Sequence, residues 1–292
     1  MPSHTPSLAP TTVVGAHNYP ADLVAAIVRA TEAAASACLP LVGSGDKSGA
    51  DELAVAAMRD ALGRAPFAGT VVIGEGEKDE APMLANGERL GTGTGPACDV
   101  AVDPLDGTRL AAENLPGAVA VIALAPRGTM FDPRDVFYMQ KLISSAAGIG
   151  VLDVGASAAE NAARLARALA KPIDELVVGV LDKPRHASVV AELRGVGVRV
   201  HLVGEGDVSI AIAAATPGSG IDAVMGVGGT PEGIIAACAV RSLGGFMQGR
   251  MAPQTNSQRD AAVAAGHDLD RVFTLNELVA SDRLLFVSTP VT

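Results

Sequence analysis

Between residues 158 and 242 the chain alternates between two periodicities. Helical spacing covers 158–170, 187–194, 207–215 and 231–242, and short apolar runs cover 176–181, 198–203 and 221–226. Strands separated by helical segments pair in parallel or mixed sheets whose two faces are both covered. The preceding stretch has a different texture. Helical spacing runs from Ala21 to about Leu41, and a second helix starts near Ala50. Strand-like runs follow at Gly69–Gly74, Asp99–Val102, Val119–Ala125 and Val136–Ile143. The expected class is therefore α/β: an α+β half over 19–155 fused to an α/β half over 156–292, behind a disordered lead-in at 1–18. There is no internal repeat, and the polar segment Gln254 to Asp260 is expected to be an exposed loop. Apolar residues make up 49% of the chain but aromatics only 3%. The interior must be built from Ala, Val, Leu and Ile, which suits helices packed closely on a sheet.

A net charge of −10 over 292 residues argues against nucleic acid or an anionic membrane as a general partner. Cys38, Cys98 and Cys238 are widely spaced and form no CxxC pair, so a disulfide framework is not expected and a reducing cytoplasm fits. No run of about 18 apolar residues escapes interruption by charge or glycine, so no membrane span is expected. The first residues carry Pro, Ser, Thr and His without a cationic stretch ahead of an apolar block, unlike a signal peptide.

The chemistry concentrates in Asp103-Pro104-Leu105-Asp106-Gly107-Thr108, directly after the apolar run Val100-Ala101-Val102. Two carboxylates and a hydroxyl stand where a strand ends and a glycine turn begins. Hard divalent cations select oxygen ligands, and phosphate oxygens need the free N–H groups that such a turn supplies. Asp-Pro and Asp-Gly are also ordinary turn chemistry. On this segment alone both readings stand.

Other polar loops also follow strand patterns: Glu75 through Glu80, Lys183-Pro184-Arg185-His186, Gly204-Glu205-Gly206-Asp207, and Gly228-Gly229-Thr230-Pro231-Glu232-Gly233. Ligands of α/β sheets bind at the carboxyl ends of strands, so three of these loops could face one crevice. Each has a plainer explanation. Thr230-Pro231-Glu232 is good helix-start chemistry, and the Lys183 and Glu75 segments read equally well as solvated turns. His201, inside an apolar strand, is expected to be a hydrogen-bonded core histidine. Two like charges 4 Å apart cost about 4 kcal/mol at an effective dielectric of ~20. Gathered carboxylates therefore either point apart or are held by divalent metals, and the second option describes a two-metal phosphoryl site.

Five blocks carry a resemblance: Gly45-Asp46-Lys47 with Asp51; Gly74 through Met83; Asp103 through Thr108; Lys183 through His186; and Gly228 through Gly233. In order and spacing they resemble the class II fructose-1,6-bisphosphatases of bacteria, within the lithium-sensitive, metal-dependent sugar phosphatases. The resemblance implies a layered αβαβα sandwich and hydrolysis of the 1-phosphate of fructose 1,6-bisphosphate in gluconeogenesis. It implies two or more Mn²⁺ or Mg²⁺ ions, with Asp51 and Glu75 holding one, and Asp103, Asp106 and Glu232 holding another or sharing bridging duties. Asp79 and Thr108 would orient and deprotonate the attacking water. Asp106, Gly107 and Thr108 would cradle the 1-phosphate. Tyr138, Lys183, Pro184, Arg185, Glu205, Gly206, Asp207 and Gly229 would bind the sugar and the 6-phosphate, with Arg250 as a further phosphate contact. A cytoplasmic homo-oligomer, dimer or tetramer, is implied as well.

The chain departs from that pattern at Asp106, where some relatives carry Glu, at Glu205 (usually Asp) and at Gly117 (usually Asn). It also stops at Thr292, where relatives continue, which raises the expectation of exposed sheet edge and weakened activity. Two alternatives stay open. One is the same chemistry on sedoheptulose 1,7-bisphosphate or an inositol phosphate. The other is a shortened paralogue that binds sugar phosphate without hydrolysing it.

Overall fold

The computed structural model describes residues 10–74, 84–133 and 136–292. In chain order the elements are β1 (Thr12–Val14), α1 (Ala21–Cys38), α2 (Lys47–Gly63), β2 (Ala68–Ile73), β3 (Arg89–Leu90), β4 (Ala97–Asp106), α3 (Thr108–Ala112) and β5 (Val119–Pro126). Then come β6 (Tyr138–Ser144), α4 (Ala158–Ala168), β7 (Val177–Leu181), α5 (Ala187–Gly195), β8 (Arg199–Val203), α6 (Asp207–Ala215), β9 (Ala223–Gly229) and α7 (Thr230–Ser242). Last are β10 (Phe246–Met251), α8 (Asn256–Ala264), β11 (Val272–Thr274), α9 (Leu275–Leu278) and β12 (Leu285–Pro290). The architecture is α/β, as expected, with helices and strands mixed in two six-stranded sheets.

The chain divides into two compact units, Met1–Thr129 with Arg283–Thr292, and Met130–Asp282. The boundary expected at 155 therefore moves to 129/130. Strand β6, assigned from sequence to the first half, pairs antiparallel with β9 and β10 of the second. The terminal strand β12 returns to the first unit beside β5. Within the stretch 1–18, expected to be a disordered lead-in, Thr12–Val14 forms a strand that pairs with β12.

The first unit has strand order β1-β12-β5-β4-β2-β3. Helix α1 buries Leu23, Ile27, Ala30, Ala34 and Cys38 at helical spacing and leaves Arg29 and Glu32 exposed. That stripe packs on β12, β5 and β4, and its alanines admit the close approach of α2. By length and composition alone, Ala21–Leu41 is long and apolar enough to cross a membrane, with mean hydropathy 1.4. Its apolar stripe is instead part of the core that also holds Phe67, Leu62, Met58, Ile122 and Leu124. Each fully buried side chain of this size contributes about 1.5–3 kcal/mol. A Cβ at Gly69 would come within 2.5 Å of the Phe67 ring, so glycine is required there.

The second unit has strand order β11-β10-β6-β9-β7-β8. Leu142 of β6 joins the apolar cluster that includes Ala162 and Leu165 of α4 and Leu193 of α5. The neighbouring positions Met139 and Lys141 alternate to the other face, where they lie against Gly233 of α7. Two local expectations fail here. Gln254 to Asp260 is not a loop: the Thr255 hydroxyl caps α8 by accepting from the Gln258 N–H, which offsets the low apolar content. His201 is exposed rather than buried, because β8 is the edge strand and its apolar sequence is not matched by cover on both faces.

Candidate active site

In the first unit the chemistry stands at the carboxyl end of β4. Strand β4 runs antiparallel to β5, and their register slips between Asp103 and Asp106, where Pro104 has no N–H to donate. The Leu105 N–H turns back to Asp103 Oδ1 at 3.0 Å. Asp106 is buried, Gly107 adopts the left-handed conformation (φ 85°), and Thr108 begins α3. Glycine is needed at 107 because an L side chain there would be strained.

Helix α2, which carries Asp51, packs against both β4 and α3. The loop before α2 is tied to the end of α3 by Gly43 N–H to Ala111 O (3.0 Å) and Gly45 N–H to Ala112 O (2.9 Å). Asp46 then caps α2 by accepting from the Gly49 N–H at 2.9 Å. The Gly45-Asp46-Lys47 block thus fixes the start of the helix that bears Asp51 beside the turn that follows Asp103. Strand β2 runs parallel to β4, so its carboxyl end at Ile73 lies at the same end of the sheet. Glu75 and Asp79 lie outside the described residues. Among the described residues no group of three or more His, Cys, Asp and Glu side chains is placed to hold a metal.

In the second unit, Tyr138, Lys183–Arg185, Glu205–Asp207, Gly229 and Glu232 also stand at strand or helix ends. Tyr138 of β6 pairs in register with Gly229 of β9. The Arg185 guanidinium lies 5.3 Å from the centre of the Tyr138 ring, and Arg185 Nε donates to Val227 O at 3.0 Å. Stacking and that one hydrogen bond preset the direction of a guanidinium suited to bidentate phosphate contact. Gly206, left-handed at φ 96°, precedes α6, and Asp207 opens that helix.

Glu232 sits in the first turn of α7, which begins after Gly229 rather than after Thr230. Although the residue is partly exposed, its Oε2 is sealed from solvent and has no hydrogen-bond partner. Burial raises the carboxyl above its ordinary range, opposed by the nearby Lys141 ammonium and assisted by the Asp207 carboxylate. A Cβ at Gly229 would fall 1.7 Å from Glu232 Oε2, so glycine there is a space requirement for the carboxylate. A buried carboxylate oxygen without a donor is the residue most in want of a cation.

His186, the last residue of the Lys183 block, is structural. Its Nε2 accepts from the Val227 N–H at 2.7 Å, so the proton resides on Nδ1, which faces Leu181 O at 2.7 Å. Arg250, a further phosphate contact in the sequence reading, donates across the sheet to Gln140 at 2.7 Å.

Sequence reasoning missed Lys141. Its side chain is 6% exposed and its Nζ contacts Asp207 Oδ2 at 2.6 Å and Gly229 O at 3.0 Å. The available signal was a lysine two places after an inward methionine in the apolar run Met139-Gln140-Lys141-Leu142-Ile143, a position where an unpaired charge would not be buried.

A family model described as bacterial fructose-1,6-bisphosphatase, glpX-encoded, matches residues 21–292. The chain is 42% identical over 285 residues to the D-fructose 1,6-bisphosphatase class 2/sedoheptulose 1,7-bisphosphatase of Synechococcus sp. (strain CC9605), covering 92% of this chain and 85% of that protein. It is 41% identical over 277 residues to fructose-1,6-bisphosphatase 1 class 2 of Escherichia coli (strain K12), covering 90% of this chain and 82% of that one.

Proposed function

The chain belongs to the bacterial, glpX-encoded fructose-1,6-bisphosphatase family, and from that membership we propose that it hydrolyses the 1-phosphate of fructose 1,6-bisphosphate, giving fructose 6-phosphate and phosphate. The observation that carries the reading is the similarity over residues 21–292, which includes every block of site residues. What supports a metal is chemistry residue by residue: Asp51, Asp103, Asp106 and Glu232 each offer the hard oxygens that divalent cations select, and Glu232 Oε2 is buried without a partner. These residues, with Glu75, would hold Mn²⁺ or Mg²⁺, Asp51 with Glu75 and Asp103 with Asp106 and Glu232. Bound there, the metals would lower the pKa of water and neutralise charge developing on the phosphoryl oxygens.

The remaining work falls to the chain's own groups. Thr108 Oγ1 takes a proton from the attacking water and passes it to the Asp79 carboxylate. The Gly107 and Thr108 amides bind the 1-phosphate next to Asp106. Arg185 grips the 6-phosphate, Lys183 adds a point charge beside Pro184, and Tyr138, Glu205, Gly206, Asp207 and Gly229 hold the sugar. The role of the reaction is gluconeogenic, and the compartment is the cytoplasm, which suits three buried cysteines with no CxxC pair among them. The active form is a homo-oligomer.

The test is phosphate release from fructose 1,6-bisphosphate with Mn²⁺ or Mg²⁺, with chelator as control. Turnover that needs the metal is expected; no release under any metal condition rejects the reading. A second substrate, sedoheptulose 1,7-bisphosphate, is favoured by the double name of the Synechococcus relative and belongs in the same assay. Inositol phosphates complete the panel. Metal-dependent binding without release would identify a non-catalytic sugar-phosphate binder instead.

A further inference from the structure

We propose that Lys141 is a positioning residue for sugar recognition. Its ammonium sets the Asp207 carboxylate at the start of α6 and the Gly229 carbonyl at the end of β9 in one fixed arrangement. The inference rests on the reading that Asp207 and Gly229 contact the sugar. Lys141 Nζ donates to Asp207 Oδ2 at 2.6 Å and to Gly229 O at 3.0 Å, and thereby joins two separate segments assigned to the same ligand. The lysine and aspartate side chains are only 6% and 13% exposed.

Stability is a weak reason for such a pair. Desolvating two charges costs about what their attraction returns, and apolar replacements of buried pairs are often neutral or stabilising. Geometry is the better reason. A Cβ at Gly228 would fall 1.9 Å from Asp207 Oδ2 and 2.8 Å from Lys141 Nζ, so the strand keeps a glycine where the pair needs room. Gly229 in turn caps α7 and pairs in register with Tyr138, whose ring lies under Arg185. Moving the ammonium would therefore disturb Asp207 and Gly229 together.

The experiment compares full-length wild type with Lys141→Met, Asp207→Asn, the double variant and Gly228→Ala, at saturating Mn²⁺. For Lys141→Met we expect KM for fructose 1,6-bisphosphate to rise about tenfold or more, a larger factor than any fall in kcat, with unchanged far-ultraviolet circular dichroism. Because Lys141 acts through Asp207, the double variant should be no worse in KM than the worse single variant, within about twofold. A KM within about twofold of wild type in Lys141→Met, or multiplying effects in the double variant, overturns the inference. Should Lys141→Met fail to fold, Gly228→Ala displaces the pair while keeping both charges; an unchanged KM there overturns it equally. Wild type without turnover removes the functional reading and this inference together. Wild-type turnover with an unperturbed KM in the variants removes this inference alone.

Discussion

His186 Nε2 accepts a hydrogen bond from the Val227 N–H at 2.7 Å, which ties the loop after β7 to the strand that carries Gly228 and Gly229. The ring lies buried, with Nδ1 against Leu181 O at 2.7 Å. Burial, assisted by the Arg185 charge, moves its pKa below 6.5, against the opposing effects of Leu181, Asp207 and Val227. In the unfolded chain the imidazole binds protons more readily than in the folded one. Folding stability contributed by this residue is therefore present above about pH 6.5 and is lost as the pH falls below it. We expect Tm to decline from pH 7.5 to pH 5 and expect His186→Leu to flatten that decline. The leucine variant should also lose about 1–3 kcal/mol at pH 7.5, because it strands a buried N–H and a carbonyl. Denaturant melts across that pH range decide it; an identical slope in both proteins rejects the assignment.

Asp103→Asn separates charge from geometry. The Asp103 Oδ1 that accepts from the Leu105 N–H becomes an amide oxygen, which accepts equally well, so the turn at the end of β4 should persist. What disappears is the negative charge that a divalent ion requires. Turnover should fall by about a hundredfold or more with Tm within a few degrees of wild type, since one lost metal ligand removes several kcal/mol of transition-state stabilisation. Phosphate-release kinetics alongside a thermal melt provide the check, and retained turnover would remove Asp103 from the site.

Much of this fold was legible because the apolar periodicities are strong. Helix α6 over 207–215 coincides with its sequence pattern, and α7 differs by one residue. The misses have physical causes. The pattern of β6 reports an inward face but not which sheet receives it, so the unit boundary was misplaced. Strand β8 is apolar yet sits at an edge, which periodicity cannot distinguish from a covered strand. Helix α8 is held by a threonine cap rather than by an apolar stripe. At the site, local blocks such as Asp103–Thr108 announced themselves through unusual chemistry. Lys141 did not, because its partners are 66 and 88 residues away and only the fold brings them together.

Glu277 offers a stability prediction away from the site. Its carboxylate accepts from the Thr274 N–H and hydroxyl at 2.8 and 2.7 Å, closing a capping box at α9, and Arg271 approaches at 2.9 Å. Those bonds, the Thr274 N–H foremost, lower its pKa from 4.5 to about 2. The carboxylate contribution is thus present above about pH 4.5 and lost as the pH falls toward 2. The side chain is 40% exposed, so solvent screening holds the effect to under about 1 kcal/mol. Glu277→Ala should lower Tm at neutral pH by a degree or two and leave KM and kcat unaltered. A larger activity change would show that α9 does more than close its own turn.

Glu232 sets stability against function. Its Oε2 is sealed from solvent without a partner, and burial favours the protonated form. Glu232→Gln keeps the size of the side chain and removes the charge that burial penalises. In chelator, where no cation can compensate, the glutamine variant should melt at a higher temperature than wild type, by roughly the 2–4 °C that each kcal/mol is worth in a chain of this size. With Mn²⁺ present the order should reverse: wild type gains stability by binding the ion, and the variant gains little. Turnover of the variant should be at least about a hundredfold down. Calorimetric scans with and without metal test the pair of signs, and a variant less stable than wild type in chelator would show that the buried carboxylate already has a partner that offsets its burial.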